Sequence, residues 1–354
     1  MELTNQVSLG VESLKESGQT KVRYDLIQSP IQQKQWLELV NQGFGVPDAH
    51  SFYEDFPVWN EALHTGKNAS IAKVGAFVGD QLVATASIRL SDMKTNTNPI
   101  QVGLIGSVVT SPQWRGQGLA KHVVSLALQW GRTREITAAI LWGSELDLYR
   151  KIGFELCGEQ VRVPLDTIQN LVGSDREQDI RQGWSPQLFK LIQRRPGGLN
   201  LRPDDIFWFS SHKNVDWYWI GQESAPRAYA AVGRGIDLEG FVHEWGGESR
   251  ALMALLVRLN KIRPGLSLLG SRWALQETGL HLQYNDDALE YLCMAKVYEP
   301  ELIYKAFYPG ETFPKVIAQA DPSEWPQLLF GPASVVSAHV KKTLPLWIWG
   351  LDAS

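Results

Sequence analysis

Between Val102 and Trp130 a strand-like run, a Ser111-Pro112 corner, a turn holding Gly116 and Gly118, and a helix-like run follow one another without a spacer. The apolar residues Val123, Val124, Leu126, Ala127 and Trp130 recur at helical spacing. A strand that feeds directly into an amphipathic helix belongs to a layered chain of mixed α and β elements. It also creates an anion cradle. The first N–H groups of a helix lack acceptors, and the helix dipole adds positive potential at that end. Gly116 and Gly118 let the backbone approach a phosphate with no Cβ in the way. Each amide bond to a charged oxygen contributes roughly 1.5–3 kcal/mol. The same two glycines would also serve merely to tighten a turn, and neither G-x-G-x-x-G nor G-x-x-x-x-G-K-[ST] is present.

The surrounding pattern predicts a strand at 22–27, helical stretches at 31–39 and 52–63, and a hairpin of 71–78 with 82–89 around Gly79-Asp80-Gln81. A strand at 102–110, a helix at 118–130, a strand at 138–142, a short helix at 145–151 and a strand at 155–163 follow. After a polar stretch, strands are suggested at 207–211, 217–220, 227–233 and 240–245. A helix at 249–262, a strand at 266–269 and a short helix at 273–278 complete the run. The second run repeats the element order of the end of the first, which suggests a duplicated fold. The expected organisation is a mobile leader at 1–20, a first α/β domain at 21–165, a linker at 166–200, a second domain at 201–290 and a C-terminal extension at 291–354 docking back on the first domain.

Composition sets the outer limits. With 354 residues, two domains are the starting expectation. A formal net charge of -4 argues against a nucleic-acid binder that works through a general basic field. The two cysteines, Cys157 and Cys293, give neither a metal-ligand spacing nor a disulfide framework, and no other His/Cys/carboxylate cluster has metal-site spacing. No apolar run reaches the roughly 18 residues of a membrane span, and residues 1–21 lack the apolar core of a secretory signal. The cytoplasm is the expected location, with no metal, membrane or nucleic-acid partner. The 14 tryptophans are dense around Trp208, Trp217 and Trp219, as core aromatics or as the wall of a cleft.

Arg115-Gly-Gln-Gly-Leu-Ala120 resembles the acetyl-CoA pyrophosphate loop of the GCN5-related N-acetyltransferases (GNAT), with Arg115, Gly118 and Ala120 at the pattern's defined positions. Leu148-Tyr-Arg-Lys-Ile-Gly-Phe154 is similar to that family's second hallmark, and the resemblance covers roughly residues 20–165. Ser144-Glu-Leu-Asp-Leu-Tyr149 with Gly153-Phe154 resembles the Eis-like acetyltransferases more closely, which place two GNAT-type domains in tandem before a third module. The resemblance implies a mixed α/β protein of two tandem GNAT-like domains. The second is degenerate, because Glu244-Trp-Gly-Gly-Glu248 stands where the glycine turn belongs and its two carboxylates would repel a phosphate. Only a short C-terminal extension remains for the third part.

The implied activity is transfer of an acetyl group from acetyl-CoA to a primary amine of a small molecule. Its rivals are an acyl-CoA-binding sensor or interaction module without turnover, or acetylation of a protein N-terminus or an oxygen nucleophile. The resemblance assigns cofactor binding to Val108, Val109, Thr110, Arg115, Gly116, Gln117, Gly118, Leu119, Ala120, Lys121 and Ser144. It sets Tyr149 beside the thioester sulfur as proton donor; the alternative is a tyrosine packed on Phe154. The strand 101–110 contains no carboxylate or histidine, so the resemblance offers the terminal carboxylate of Ser354 as base, with the apolar tail from Leu344 docked. Removing Asp352 to Ser354 is then expected to stop turnover and leave the fold intact. His122 reads as a packing residue, and His243-Glu244 enters the site only if both domains share one cleft.

Overall fold

A computed structural model describes residues 21–64, 70–171, 179–282, 289–332 and 343–353. The expected leader 1–20 lies outside them. The first sheet gathers β1 (Val22–Leu26), β2 (Ile71–Val78), β3 (Gln81–Met93), β4 (Ile100–Thr110), β5 (Ala138–Leu141) and β6 (Glu155–Cys157). The second holds β7 (Gln160–Pro164), β8 (Arg181–Gln182), β9 (Asp216–Gln222), β10 (Ala225–Arg234), β11 (Asp237–Gly247), β12 (Ser267–Gly270) and β13 (Leu289–Glu290). The last strand, β14 (Cys293–Val297), returns to the first sheet.

The helices are α1 (Pro30–Phe44), α2 (Phe52–Asp55), α3 (Leu119–Arg132), α4 (Leu146–Arg150), α5 (Pro186–Arg194), α6 (Ile206–Ser210), α7 (Ser249–Ile262) and α8 (Arg272–Glu277). After β14 come α9 (Pro300–Phe307), α10 (Lys315–Gln319) and α11 (Trp325–Phe330).

Both sheets have seven strands, in the orders β1-β2-β3-β4-β5-β14-β6 and β8-β9-β10-β11-β12-β7-β13. Position for position the two orders match, and in both the fourth and fifth strands run parallel while their other neighbours run antiparallel. The sixth position is exchanged: β7, from the first half, enters the second sheet, and β14, from the end of the chain, enters the first. The chain is therefore two α/β domains of matching strand order in tandem that trade a strand. The expected single strand at 155–163 divides here. Gly158, at φ 69, turns the chain from β6 out of one sheet and into β7 of the other. Cys157 and Cys293 face each other across this exchange as buried free thiols with sulfurs 4.0 Å apart.

Residues 207–211, expected as a strand, are the helix α6. Asp205 accepts from the Arg202 amide (2.6 Å) and the Trp208 indole (3.1 Å), which winds the chain at its start. The aromatic run then buries Trp208 and Phe209 while Phe207 stays half exposed. Its side chains lack the period-two alternation of a strand.

The core explains the buried, non-alternating strands β2 to β4. One face of the first sheet packs on α3 through Val123, Val124, Ala127 and Trp130. The opposite face joins α1, the second domain and the tail 344–351 in one continuous apolar cluster. A sheet covered on both faces reads as a near-continuous hydrophobic run.

Candidate active site

Strands β4 and β5 pair only from Val102↔Ala138 to Ile105↔Leu141. Beyond Ile105, β4 continues to Thr110 while the other chain turns off through Trp142, Gly143 and Ser144, so the sheet opens as a wedge. A bulge against β3 marks the start of the wedge: Ser87 pairs Gly106 but Thr85 pairs Val109. It twists β4 and sets Ser107 at φ 52, a left-handed conformation that is strained for a residue with a Cβ. Such a wedge leaves strand amides without partners beside a gap, a place for an extended ligand to lie.

The glycine turn stands at one end of the wedge. Gly116 and Gly118 both adopt φ 76, and a Cβ added to either meets nothing within 4 Å, so the space above the turn is open. Gly118 caps α3 with no side-chain bond, which leaves the first amides of the helix for an outside acceptor. Arg115 donates from Nε to the Thr110 carbonyl at 3.2 Å, tying the turn to the end of β4. Val108, Val109, Thr110, Arg115, Gly116, Gly118, Leu119, Ala120 and Lys121 line one trough of about 520 Å³, which reaches Leu148 and Tyr149. Gln117 is exposed and is not among the residues of its wall. Ser144 lies instead in the wall of a second cavity.

That second cavity, of about 430 Å³, sits between the two domains. Its walls come from α1 and α2 (Phe44, Phe52), from the β4 bulge, from β11 and the turn before it (Asp237, Leu238, His243) and from the tail (Trp347, Ile348, Gly350, Ala353). The trough and the cavity share four residues: Phe44, Val108, Glu145 and Tyr149. Tyr149 is buried, edge-on to Phe154, with ring centroids 6.2 Å apart. Its ring thus packs on Phe154 and at the same time lines both the trough and the cavity. Gly143 makes its place, since a Cβ there would come within 2.7 Å of the Tyr149 ring. Burial, helped by the Glu145 carboxylate, pushes the phenol above its ordinary value, so it holds its proton at neutral pH.

The tail is fixed by buried charge. Arg234 donates to the carbonyls of Gly350 and Ala353, each at 2.6 Å, and pairs with Asp237 at 2.6 Å. Arg195 bridges Glu244 (2.6 Å) and Asp352, and all three side chains are fully buried. Ser354 lies outside the described residues; the residue before it, Ala353, is in the cavity wall.

His243 lines the cavity and donates from Nε2 to the Gly233 carbonyl at 2.9 Å. Burial lowers its pKa to about 4, with Arg234 adding to the effect, so it is neutral near pH 7. The two domains do share a cleft. His122 stacks on Tyr24 at 5.4 Å and stays out of both cavities, as a packing residue would.

At the corresponding turn of the second domain only one of the two expected carboxylates is present. Glu244 points into the buried cluster with Arg195, and Glu248 alone caps α7, paired with Arg227 at 2.6 Å. A Cβ on Gly247 would come within 2.2 Å of the Arg227 carbonyl, so the neighbouring strand closes this turn where the first one is open. Among the described residues no His, Cys, Asp and Glu group is disposed to hold a metal ion, and no helix is long and apolar enough to cross a membrane.

Phe44, Phe52, Glu145, Asp237 and Trp347 were not among the site residues expected from sequence. Only the i, i+4 spacing of Phe52 and Phe56 and the aromatic tail hinted at them. Their convergence depends on the strand exchange, which no local pattern announces.

Residues 29–157 match the family model described as an acetyltransferase (GNAT) domain. Among solved structures the chain is similar to a GCN5-related N-acetyltransferase from Kribbella flavida, at 19% identity and a TM-score of 0.59, over 82% of this chain and 74% of that one. It is similar to a probable N-acyltransferase from Enterococcus faecalis, at 14% identity and a TM-score of 0.58, over 81% and 75%. Eis1 from Mycobacterium abscessus aligns at 16% identity and a TM-score of 0.52, over 81% and 76%. No curated protein matches the sequence.

Proposed function

We propose that this chain, residues 29–157 of which match the model of an acetyltransferase (GNAT) domain, moves the acetyl group of acetyl-CoA to a primary amine held in the interdomain cavity. One observation carries the reading: the trough and the cavity meet at Glu145 and Tyr149. Of the four residues they share, these two are the ones that titrate, one a carboxylate and the other a phenol. A pair of groups that differ in proton affinity at one junction supplies an acid and a base.

In this reading the amides of Gly116 to Lys121 bind the pyrophosphate, and the β4 wedge takes the pantetheine arm. The thioester then reaches Tyr149. An amine of ordinary pKa near 10.4 is protonated at pH 7, and releasing that proton costs about 4–5 kcal/mol. Glu145 is the acceptor we assign, at the mouth of the cavity. The neutral nitrogen attacks the thioester carbon, the new N–C bond forms as the C–S bond breaks, the sulfur leaves with its electron pair, and the nitrogen sheds its second proton to solvent as the neutral amide forms, Glu145 then releasing the first. Tyr149 gives its proton to that sulfur and later recovers one from solvent. Ser354, whose carboxylate the resemblance offers as base, follows in sequence Ala353, which is in the cavity wall.

The reading is tested by following free thiol released from acetyl-CoA in the presence and absence of an amine. Release that depends on the amine, with an N-acetyl product of matching amount, supports transfer. Tight binding of acetyl-CoA with no amine-dependent release supports the sensor reading instead.

A further inference from the structure

The cavity wall carries information about the acceptor. Five side chains in it titrate: Glu145, Tyr149, Arg234, Asp237 and His243. Arg234 and Asp237 cancel as a pair at 2.6 Å, with the arginine already committed to the tail. Burial keeps His243 neutral, and Tyr149 keeps its proton. Among the described residues one negative charge remains unpaired in the wall, on Glu145, at the junction with the trough.

The rest of the wall is mostly apolar, with five aromatic rings, Phe44, Phe52, Phe56, Trp142 and Trp347, and with Ser107, Ser144 and Gln160 as its uncharged polar side chains. Phe52, Phe56 and Trp347 are buried, while Phe44, 40% exposed, stands where the cavity meets the trough. The backbone is shaped to this space. Among the described residues three with a side chain have a positive φ, and two of them, Ser107 at 52 and Leu238 at 56, line the cavity. Strain kept at a cavity wall is a mark of a functional shape.

We infer that the acceptor is a monoamine on an aromatic or similarly apolar body, with its ammonium on Glu145 and its ring among Phe44, Phe56 and Trp347. The inference rests on the transferase reading above and narrows its substrate. A ring buried against aromatic walls gains from area and from edge-to-face geometry. A molecule with several ammonium groups finds one counter-charge and strands the others against hydrocarbon, where an unpaired charge is costly. A polyhydroxylated amine gives up water on every hydroxyl, and among the uncharged side chains of the wall only Ser107, Ser144 and Gln160 offer a hydroxyl or amide in return.

The full chain is given acetyl-CoA with 2-phenylethylamine, spermine or glucosamine, and thiol release is measured for each. The expected kcat/KM for 2-phenylethylamine exceeds that for the other two by about tenfold or more, within the range an apolar pocket discriminates. Phe44→Ala, at a partly exposed position that puts the fold at little risk, is expected to raise KM for 2-phenylethylamine about tenfold and to narrow its advantage over glucosamine. Equal or better turnover of spermine or glucosamine overturns the inference and leaves amine acetylation standing. Failure to acetylate any amine removes the transferase reading and this inference with it.

Discussion

Arg195 and Asp352, 157 residues apart in sequence, meet as a fully buried ion pair. Arg195 also holds Glu244 on β11 at 2.6 Å. Burial alone would lower the affinity of this guanidinium for its proton; the two carboxylates outweigh it and raise that affinity above the ordinary value. Arg89, on β3 of the first sheet, donates to the Asp352 carbonyl at 2.7 Å. One cluster therefore ties the first sheet, the segment after α5, the second sheet and the tail together behind the cavity.

Removing one member leaves uncompensated charge in the core, which costs about 3–5 kcal/mol. Arg195→Met is expected to lower the free energy of unfolding by that amount in a urea titration, since it strands both Glu244 and Asp352. For the same reason, deleting residues 352–354, expected from sequence to leave the fold intact, is here expected to lower its stability as well. It takes away Asp352 and leaves Arg195 without one of its two carboxylates.

Tyr149→Phe keeps the ring packed against Gly143 and Phe154 and removes the proton donor. A positioned acid contributes about 10²–10⁴-fold. We expect kcat to fall at least about 100-fold, with KM for acetyl-CoA within about twofold of the parent. Glu145→Gln is expected to act on the amine instead: kcat/KM for the amine falls, and raising the pH, which frees the amine of its proton, recovers part of the loss.

The two halves of the account were legible in the sequence to different degrees. The cradle was readable because its physics is local: Gly116, Gly118 and the helix after them are consecutive, and a strand, turn and helix need no distant partner. The two-domain repeat was readable in the element order, yet the exchange of β7 and β14 was not, because partners such as Cys157 and Cys293, 136 residues apart, leave no local trace. Glu244 shows the limit. It lies in the turn motif by position, but the alternation of β11 turns its side chain inward to Arg195. The cavity wall was illegible for the same reason, since Phe52, Leu238 and Trp347 meet only in the tertiary structure.

Acid should weaken the domain junction. The pKa of His243 is about 4 when folded against 6.5 as the ordinary value, and that of His212 is likewise depressed by burial. A depressed folded pKa means that the unfolded chain takes up the proton first. The stability His243 contributes is complete above about pH 6.5 and drains away as the pH falls toward 4. Between pH 7 and pH 5 this one residue accounts for about 2 kcal/mol. His243→Asn is expected to shrink the difference in unfolding free energy between those two pH values by a similar amount, as measured by chemical denaturation.

The account depends above all on one turn of backbone gripping one molecule of acyl-CoA. Isothermal titration of acetyl-CoA into the full chain tests this most directly, alongside Gly116→Asp, whose Cβ meets no protein atom within 4 Å and whose carboxylate would repel the phosphates. The prediction is saturable heat at one molecule per chain and an affinity weakened about 100-fold in the variant. Absence of heat with the parent protein, two molecules bound per chain, or undiminished binding by Gly116→Asp would contradict it.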